Sequence, residues 1–93
     1  MNILKHKNIP NCLRKYRKAR GLKQKLVAKI LGLKSPSLIS RWEKGSSIPN
    51  SLNLIKLAVL YRTMVEGLYI DHMKLFKEEL IKKEKEVLDR KNG

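Results

Sequence analysis

Apolar residues recur along this chain at helical spacing, and no run alternates as a half-buried strand would. Cys12, Leu13 and Tyr16 give an apolar side to a helix predicted over 11–20, opened by Pro10 and Asn11. Val27, Ala28 and Leu31 form the stripe of a second over 24–31. Ile39 and Trp42 share one face of a third over 36–43, where Ser35 suits the cap and Pro36 the first helical position. Leu54, Leu57, Ala58 and Tyr61 fall at i, i+3, i+4 and i+7 over 51–62. A short helix is expected over 65–69. A charged amphipathic helix over 71–91 carries Met73, Phe76, Leu80 and Val87 on one side, interrupted by Lys83 and Glu84. Gly21, Gly32 and Gly45 each follow one of the first three runs, where a helix often ends in a left-handed residue. The pattern predicts an all-α protein: a bundle of four to five helices over 11–69, preceded by a flexible basic arm over 1–10 and followed by a charged C-terminal helix over 70–93.

Charge sharpens this picture. The 93 residues carry a formal net charge of +14. Thirteen bases and one acid lie within 1–44, against nine bases and seven acids within 45–93. An excess gathered in one half marks a basic face, and its natural partner is a polyanion, above all nucleic acid. An anionic membrane surface is the rival, but it calls for one long basic amphipathic helix with an apolar face, which this half lacks. No apolar run is long enough to span a bilayer or to act as a signal peptide, and the one cysteine, Cys12, cannot form an internal disulfide. These features point to a cytoplasmic protein with no membrane partner.

Candidate chemistry is sparse. No nucleophile has a base at hand, no acids pair as in a cleft, and no glycine-rich phosphate loop occurs, so no catalytic residue is expected. His6 and His72 have no cysteine or acid at ligand spacing, so neither a metal site nor a cofactor is expected. The second and third helices, by contrast, are short and joined by Gly32-Leu33-Lys34, the spacing of a helix-turn-helix.

Taken with Arg17 to Gln24, Val27-Ala28, Leu31-Gly32, the run Ile39-Ser40-Arg41-Trp42-Glu43-Lys44-Gly45, Pro49, and Leu54 to Ala58, that unit resembles the Cro and phage-repressor family of bacterial regulators, the XRE-like helix-turn-helix proteins. The resemblance covers about 13–69 and implies a lambda-repressor-like fold that reads double-stranded DNA through the major groove. It implies an ion pair between Arg17 of the first helix and Glu43 at the end of the recognition helix. Physics supports the pairing: a carboxylate facing phosphates would be repelled, whereas one turned inward onto a guanidinium is tolerable. By the same resemblance, Pro36, Ser37 and Arg41, with Ser40 nearby, fall at base-reading positions. Arg41 is the leading candidate, because guanidinium to guanine O6 and N7 is the commonest specific contact. Gln24 matches a phosphate-binding glutamine, and Lys44 and Ser46 match backbone contacts. Lys23, Lys25 and Lys34 are added as phosphate partners. Trp42, Tyr61 and Tyr69 are expected in the core.

Three departures from the family pattern stand out. The turn before the recognition helix holds one extra residue, Lys34, which could tilt that helix in the groove. Lys23 occupies the position of a capping Ser or Thr. Leu26 replaces a polar residue. Regulators of this kind bind two half-sites as homodimers, and the C-terminal helix is the candidate dimerisation element. The leading expectation is therefore a sequence-specific transcriptional regulator, a repressor. The alternative is the antitoxin of a toxin–antitoxin pair, in which the same helix would hold a protein partner.

Overall fold

The computed structural model describes residues 8–92. Lys5, His6 and Lys7 of the expected arm lie outside the described residues. Six helices follow in order: α1 (Leu13–Ala19), α2 (Gln24–Ile30), α3 (Ser37–Lys44), α4 (Ser51–Tyr61), α5 (Val65–Leu68) and α6 (Ile70–Asn92). There is no strand among the described residues. This is an all-α helix-turn-helix bundle of five helices with a long sixth.

Two helix starts differ from the sequence expectation, and the hydrogen bonds say why. Asn11 does not open α1 but caps it from outside, its Oδ1 accepting from the Leu13 N–H at 3.0 Å. Likewise Pro36 is the cap residue of α3 and not its first helical residue: its carbonyl accepts the first bond of the helix, from the Ser40 N–H at 3.0 Å. Ser35 still supplies capping oxygen, its Oγ lying 3.3 Å from the Ser37 N–H. At α4 the cap is conventional, with Asn50 Oδ1 accepting from the Asn53 N–H at 2.8 Å.

The helix ends share one device. In α1 the Gly21 N–H donates to the Lys18 carbonyl, and the Leu22 N–H reaches back to the Arg17 carbonyl. The same pair of bonds closes α2 through Gly32 and Leu33, α3 through Gly45 and Ser46, and α4 through Arg62 and Thr63. Each is a Schellman closure around a left-handed residue. At the fourth the left-handed position is held by Arg62, with φ of 59°. There the Cβ costs about 1 kcal/mol that a glycine would not. Gly45 has a second constraint. A Cβ built on it would sit 2.2 Å from the Ile9 carbonyl oxygen, because the Ile9 N–H donates to the Gly45 carbonyl at 2.8 Å and brings the two segments together.

These short helices surround one core of Leu13, Val27, Ala28, Ile39, Trp42, Leu57, Ala58, Tyr61 and Leu68. Full burial of each large side chain contributes about 2 kcal/mol, which a seven-residue helix needs, since alone it would not form in water. Trp42 is buried, as expected, and Tyr69 is half-buried against the core. Cys12 donates its N–H to the Leu68 carbonyl at 2.8 Å and so ties α1 to α5. Leu26 is an exposed surface leucine. α4 is apolar nearly all round: only Ser51, Asn53 and Lys56 of its eleven residues are polar, so Leu52, Ile55 and Val59 stand on its outer side in solvent. α6 packs on the bundle only at its start, where His72 is buried and Ile70 and Leu75 are half-buried, and every residue from Phe76 to Arg90 is exposed.

Three outcomes follow for stability. Gly32 has open space around its Cβ position, so Gly32→Ala should cost about 1 kcal/mol from φ alone, while Gly45→Ala should cost roughly 3 kcal/mol from φ and the Ile9 clash together. Arg62→Gly should stabilise by roughly 0.5 kcal/mol, the relief of its left-handed conformation less the entropy of glycine. Urea unfolding of the three variants checks the order. Burial also pushes the Tyr69 hydroxyl up to about 12. An unfolded tyrosine ionises near about 10, so this contribution to stability is complete below pH ~10 and lost as pH rises through about 12. Tyr69→Phe should flatten that part of the alkaline decline in unfolding free energy.

Candidate nucleic-acid interface

The geometry begins with Glu43, the only acid before Glu66. Its carboxylate turns inward from the last turn of α3. Arg17 Nε donates to Oε2 at 2.5 Å and Nη2 donates to Oε1 at 3.0 Å, a bidentate pair. The two side chains are 10% and 5% exposed, so water does not screen them. The third guanidinium nitrogen, Nη1, donates to the Leu22 carbonyl at 2.8 Å in the turn before α2. Gln24 Nε2, at the first position of α2, donates to Glu43 Oε1 at 3.0 Å. One carboxylate therefore gathers α1, α2 and α3. The hydrogen bonds to Glu43, followed by its charge, raise the Arg17 pKa, so the guanidinium stays charged. Beneath the pair, the Tyr61 hydroxyl is also pushed up, first by burial and then by the Glu43 charge, with Arg17 opposing.

Asn11 grips the same end of α3 from the other side. Its Nδ2 donates to the carbonyls of Trp42 at 3.1 Å and Glu43 at 3.3 Å, and to that of Ile9 at 3.0 Å. The Trp42 and Glu43 carbonyls belong to the last turn of α3, where backbone acceptors lack an i+4 helical donor. With Trp42 and Ile39 buried beneath it, α3 is held by its inner face and by its C-terminal end.

The outer face of α3 is left free. Ser37, Ser40, Arg41 and Lys44 recur at i, i+3, i+4 and i+7 opposite Ile39 and Trp42. Ser37, Arg41 and Lys44 are exposed, Ser40 is half-buried, and Pro36 is exposed at the helix start. Lys23, Lys25 and Lys34 are also exposed, with Lys34 in the turn between α2 and α3. The turn takes its extra residue without disturbing the core, because Leu33 completes the closure of α2 and packs inward while Lys34 points to solvent. Lys23 makes no side-chain cap at α2.

Three of the expected contact residues already have partners inside the protein. Gln24 uses one amide hydrogen on Glu43. Ser46 Oγ donates to the Arg41 carbonyl at 3.2 Å, so its hydroxyl proton is committed. The Ser37 hydroxyl lies 2.8 Å from that of Ser35. Two residues of the site were not singled out by sequence reasoning. Spacing marks Asn11 only as a helix opener, although Asn is also a favoured capping residue. Arg14 lines a polar hollow together with Gln24, Ser40 and Lys44, beside the ion pair. Its place one turn before Arg17, on the side of α1 facing α3, was the available signal.

Arg17→Ala should destabilise the fold by about 3 kcal/mol, because Glu43 would be left buried and unpaired. In a double-mutant cycle with Glu43→Ala, the coupling should reach at least about 2 kcal/mol. Arg17→Lys should recover little, since a lysine cannot span both carboxylate oxygens and the Leu22 carbonyl. Additive effects in the cycle would place the stabilising contribution outside the pair.

A family model described as Helix-turn-helix matches residues 13–65, more than half of the chain. No curated protein and no solved structure matches it. The matched stretch runs from the first residue of α1 to the first residue of α5 and encloses the ion pair, the turn and the free face of α3. Among the described residues no helix is long and apolar enough to cross a membrane, and no cluster of metal-ligating side chains occurs. The fold, the inward acid and the match agree: the chain belongs to the helix-turn-helix family of XRE, lambda-repressor-like type, a family of DNA-binding transcription regulators.

Proposed function

We propose that this protein is a sequence-specific, double-stranded-DNA-binding repressor that reads the major groove with α3. The observation that carries the reading is the free stripe of Ser37, Ser40, Arg41 and Lys44 on a helix whose other sides are fixed. Arg41 donates to guanine, and Ser37 and Ser40 can donate or accept and so discriminate weakly. Pro36 offers its ring to a thymine methyl. Lys23, Lys25, Lys34 and Lys44 hold phosphates and set the register. Gln24 joins them through the amide hydrogen that Glu43 leaves free, and Ser46 joins only by turning its hydroxyl from the Arg41 carbonyl to the phosphate. The acid-poor surface around α3 favours this reading, since no exposed carboxylate within 8–65 opposes the phosphates.

The protein acts in the cytoplasm on the nucleoid, as a homodimer joined through its C-terminal region, with half-sites one helical turn apart. A second reading, an antitoxin that also holds a protein toxin, draws on one observation: α6 leaves the bundle with its apolar residues exposed.

Selection from a random duplex library, followed by binding of the winner and a scrambled control across a salt series, tests the main reading. The winner should carry a two-fold motif and bind on the order of a thousandfold tighter than the control. Arg41→Ala should remove about 1–3 kcal/mol of that preference, while Lys44→Ala should weaken both duplexes alike and lower the salt slope by about one. Equal, steeply salt-dependent binding to both duplexes would reduce the basic half to electrostatics alone.

A further inference from the structure

A helix with no neighbour is marginal in water, yet fifteen consecutive residues of α6, Phe76 to Arg90, are exposed. Pairs such as Glu78 with Lys82 and Glu86 with Arg90 add only a few tenths of a kcal/mol each. The helix also displays an apolar stripe. Met73, Leu80, Ile81 and Leu88 lie on one face, flanked by Phe76 and Val87, and all six are substantially exposed. At its base the stripe runs into an apolar groove lined by Ile48, Leu54, Val65 and Tyr69. The surface asks for a partner helix.

Charge decides which one. α6 holds six of the eight acids of the chain and seven bases, a net of +1, whereas the other seventy residues carry a net of +13. Two copies can therefore meet through α6 without the repulsion that the basic faces of the first three helices would bring. Within the stripe stand two charges, Lys77 and Glu84, seven residues apart and so on the same side. They are placed symmetrically about the point between Leu80 and Ile81. If a second α6 lies antiparallel across that point, Lys77 of each copy meets Glu84 of the other, twice. Leu80 then faces the second copy's Ile81, and Leu88 reaches Met73 at the mouth of the groove. A parallel pair would instead set Glu84 against Glu84 and Lys77 against Lys77.

We propose that the occupant of this surface is α6 of a second copy, running antiparallel and centred between Leu80 and Ile81, with reciprocal Lys77–Glu84 pairs fixing direction and register. The proposal rests on the dimeric reading given above and names its interface. It makes the helix a register device: the apolar residues supply association, and the two charges exclude the parallel arrangement and the slipped ones.

Sedimentation of the full chain without DNA tests it. The wild-type chain should be a dimer. Glu84→Lys and Lys77→Glu should each weaken dimerisation by roughly tenfold or more, because each sets two like pairs at the seam. The double variant should recover most of the loss, and an equimolar mixture of the two single variants should form the heterodimer. Lys77, Leu80, Glu84 and Leu88 are solvent-exposed and Cys12 is half-buried, so folding should survive, which helicity by circular dichroism verifies. In a Cys12→Ser background, Leu80→Cys should cross-link readily and Leu88→Cys should not, since residue 88 of the two copies lies at opposite ends of the pair. A monomeric wild-type chain, no recovery in the double variant, or efficient cross-linking through Leu88→Cys would each overturn the proposal. Binding of a single half-site duplex, measured separately, reports on α3 alone, so loss of the dimer and loss of DNA recognition are read independently.

Discussion

A carboxylate inside the most basic part of a chain is tolerable only where cations and donors surround it and water and phosphate do not. Glu43 meets that condition through four hydrogen-bond donors' worth of organisation: two guanidinium nitrogens of Arg17 and the amide of Gln24 reach its oxygens, and Asn11 holds its own carbonyl. Everything that faces outward depends on this. The pair fixes the C-terminal end of α3 against α1 and α2, and Trp42 and Ile39 fix its inner side, so that Ser37, Ser40, Arg41 and Lys44 face away from the bundle as a set. A buried ion pair of this kind need not add much net stability over an apolar substitute, but it has one good geometry, and that makes it a device for orientation.

Much of this was legible because the sequence marks it with residues that have few other uses. Three glycines announced three helix ends, and each closes its helix in the left-handed region. The fourth closure, at Arg62, carried no mark, since an arginine ordinarily avoids that conformation and takes it here only because α4 and the following turn require it. The start of α3 was offset by one because Ser35 caps from one residue further out than expected. Asn11 was undervalued for a different reason. Its local role at α1 is readable from spacing, but its bonds to Trp42 and Glu43 join segments about thirty residues apart, which periodicity does not report. The apolar outer side of α4 is not marked by spacing, because the buried stripe of Leu57, Ala58 and Tyr61 alone accounts for the helical pattern.

The charge is divided as the architecture is. Bases without exposed acids cover the helix-turn-helix, while acids and bases alternate along α6 and nearly cancel. A uniformly basic protein would attract DNA with every face and repel its own copies. Confining the balanced charge to one projecting helix leaves a surface where copies repel one another less than at the basic faces. The two parts also differ in how they are held. The bundle is fixed by a shared core and by the ion pair, whereas α6 is anchored only through its first turns, where His72 is buried.

The central claim is that the Arg17–Glu43 pair orients α3 for recognition and does not merely stabilise the bundle. The most direct measurement is the ratio of affinities for a selected duplex and a scrambled one in Glu43→Gln, at a temperature where the variant is fully folded by near-ultraviolet circular dichroism. The account predicts that the ratio falls by roughly tenfold or more while binding to the scrambled duplex is retained, because the exposed lysines are untouched and only the aim of α3 is loosened. An unchanged ratio in a folded variant would contradict it and leave the pair as packing alone.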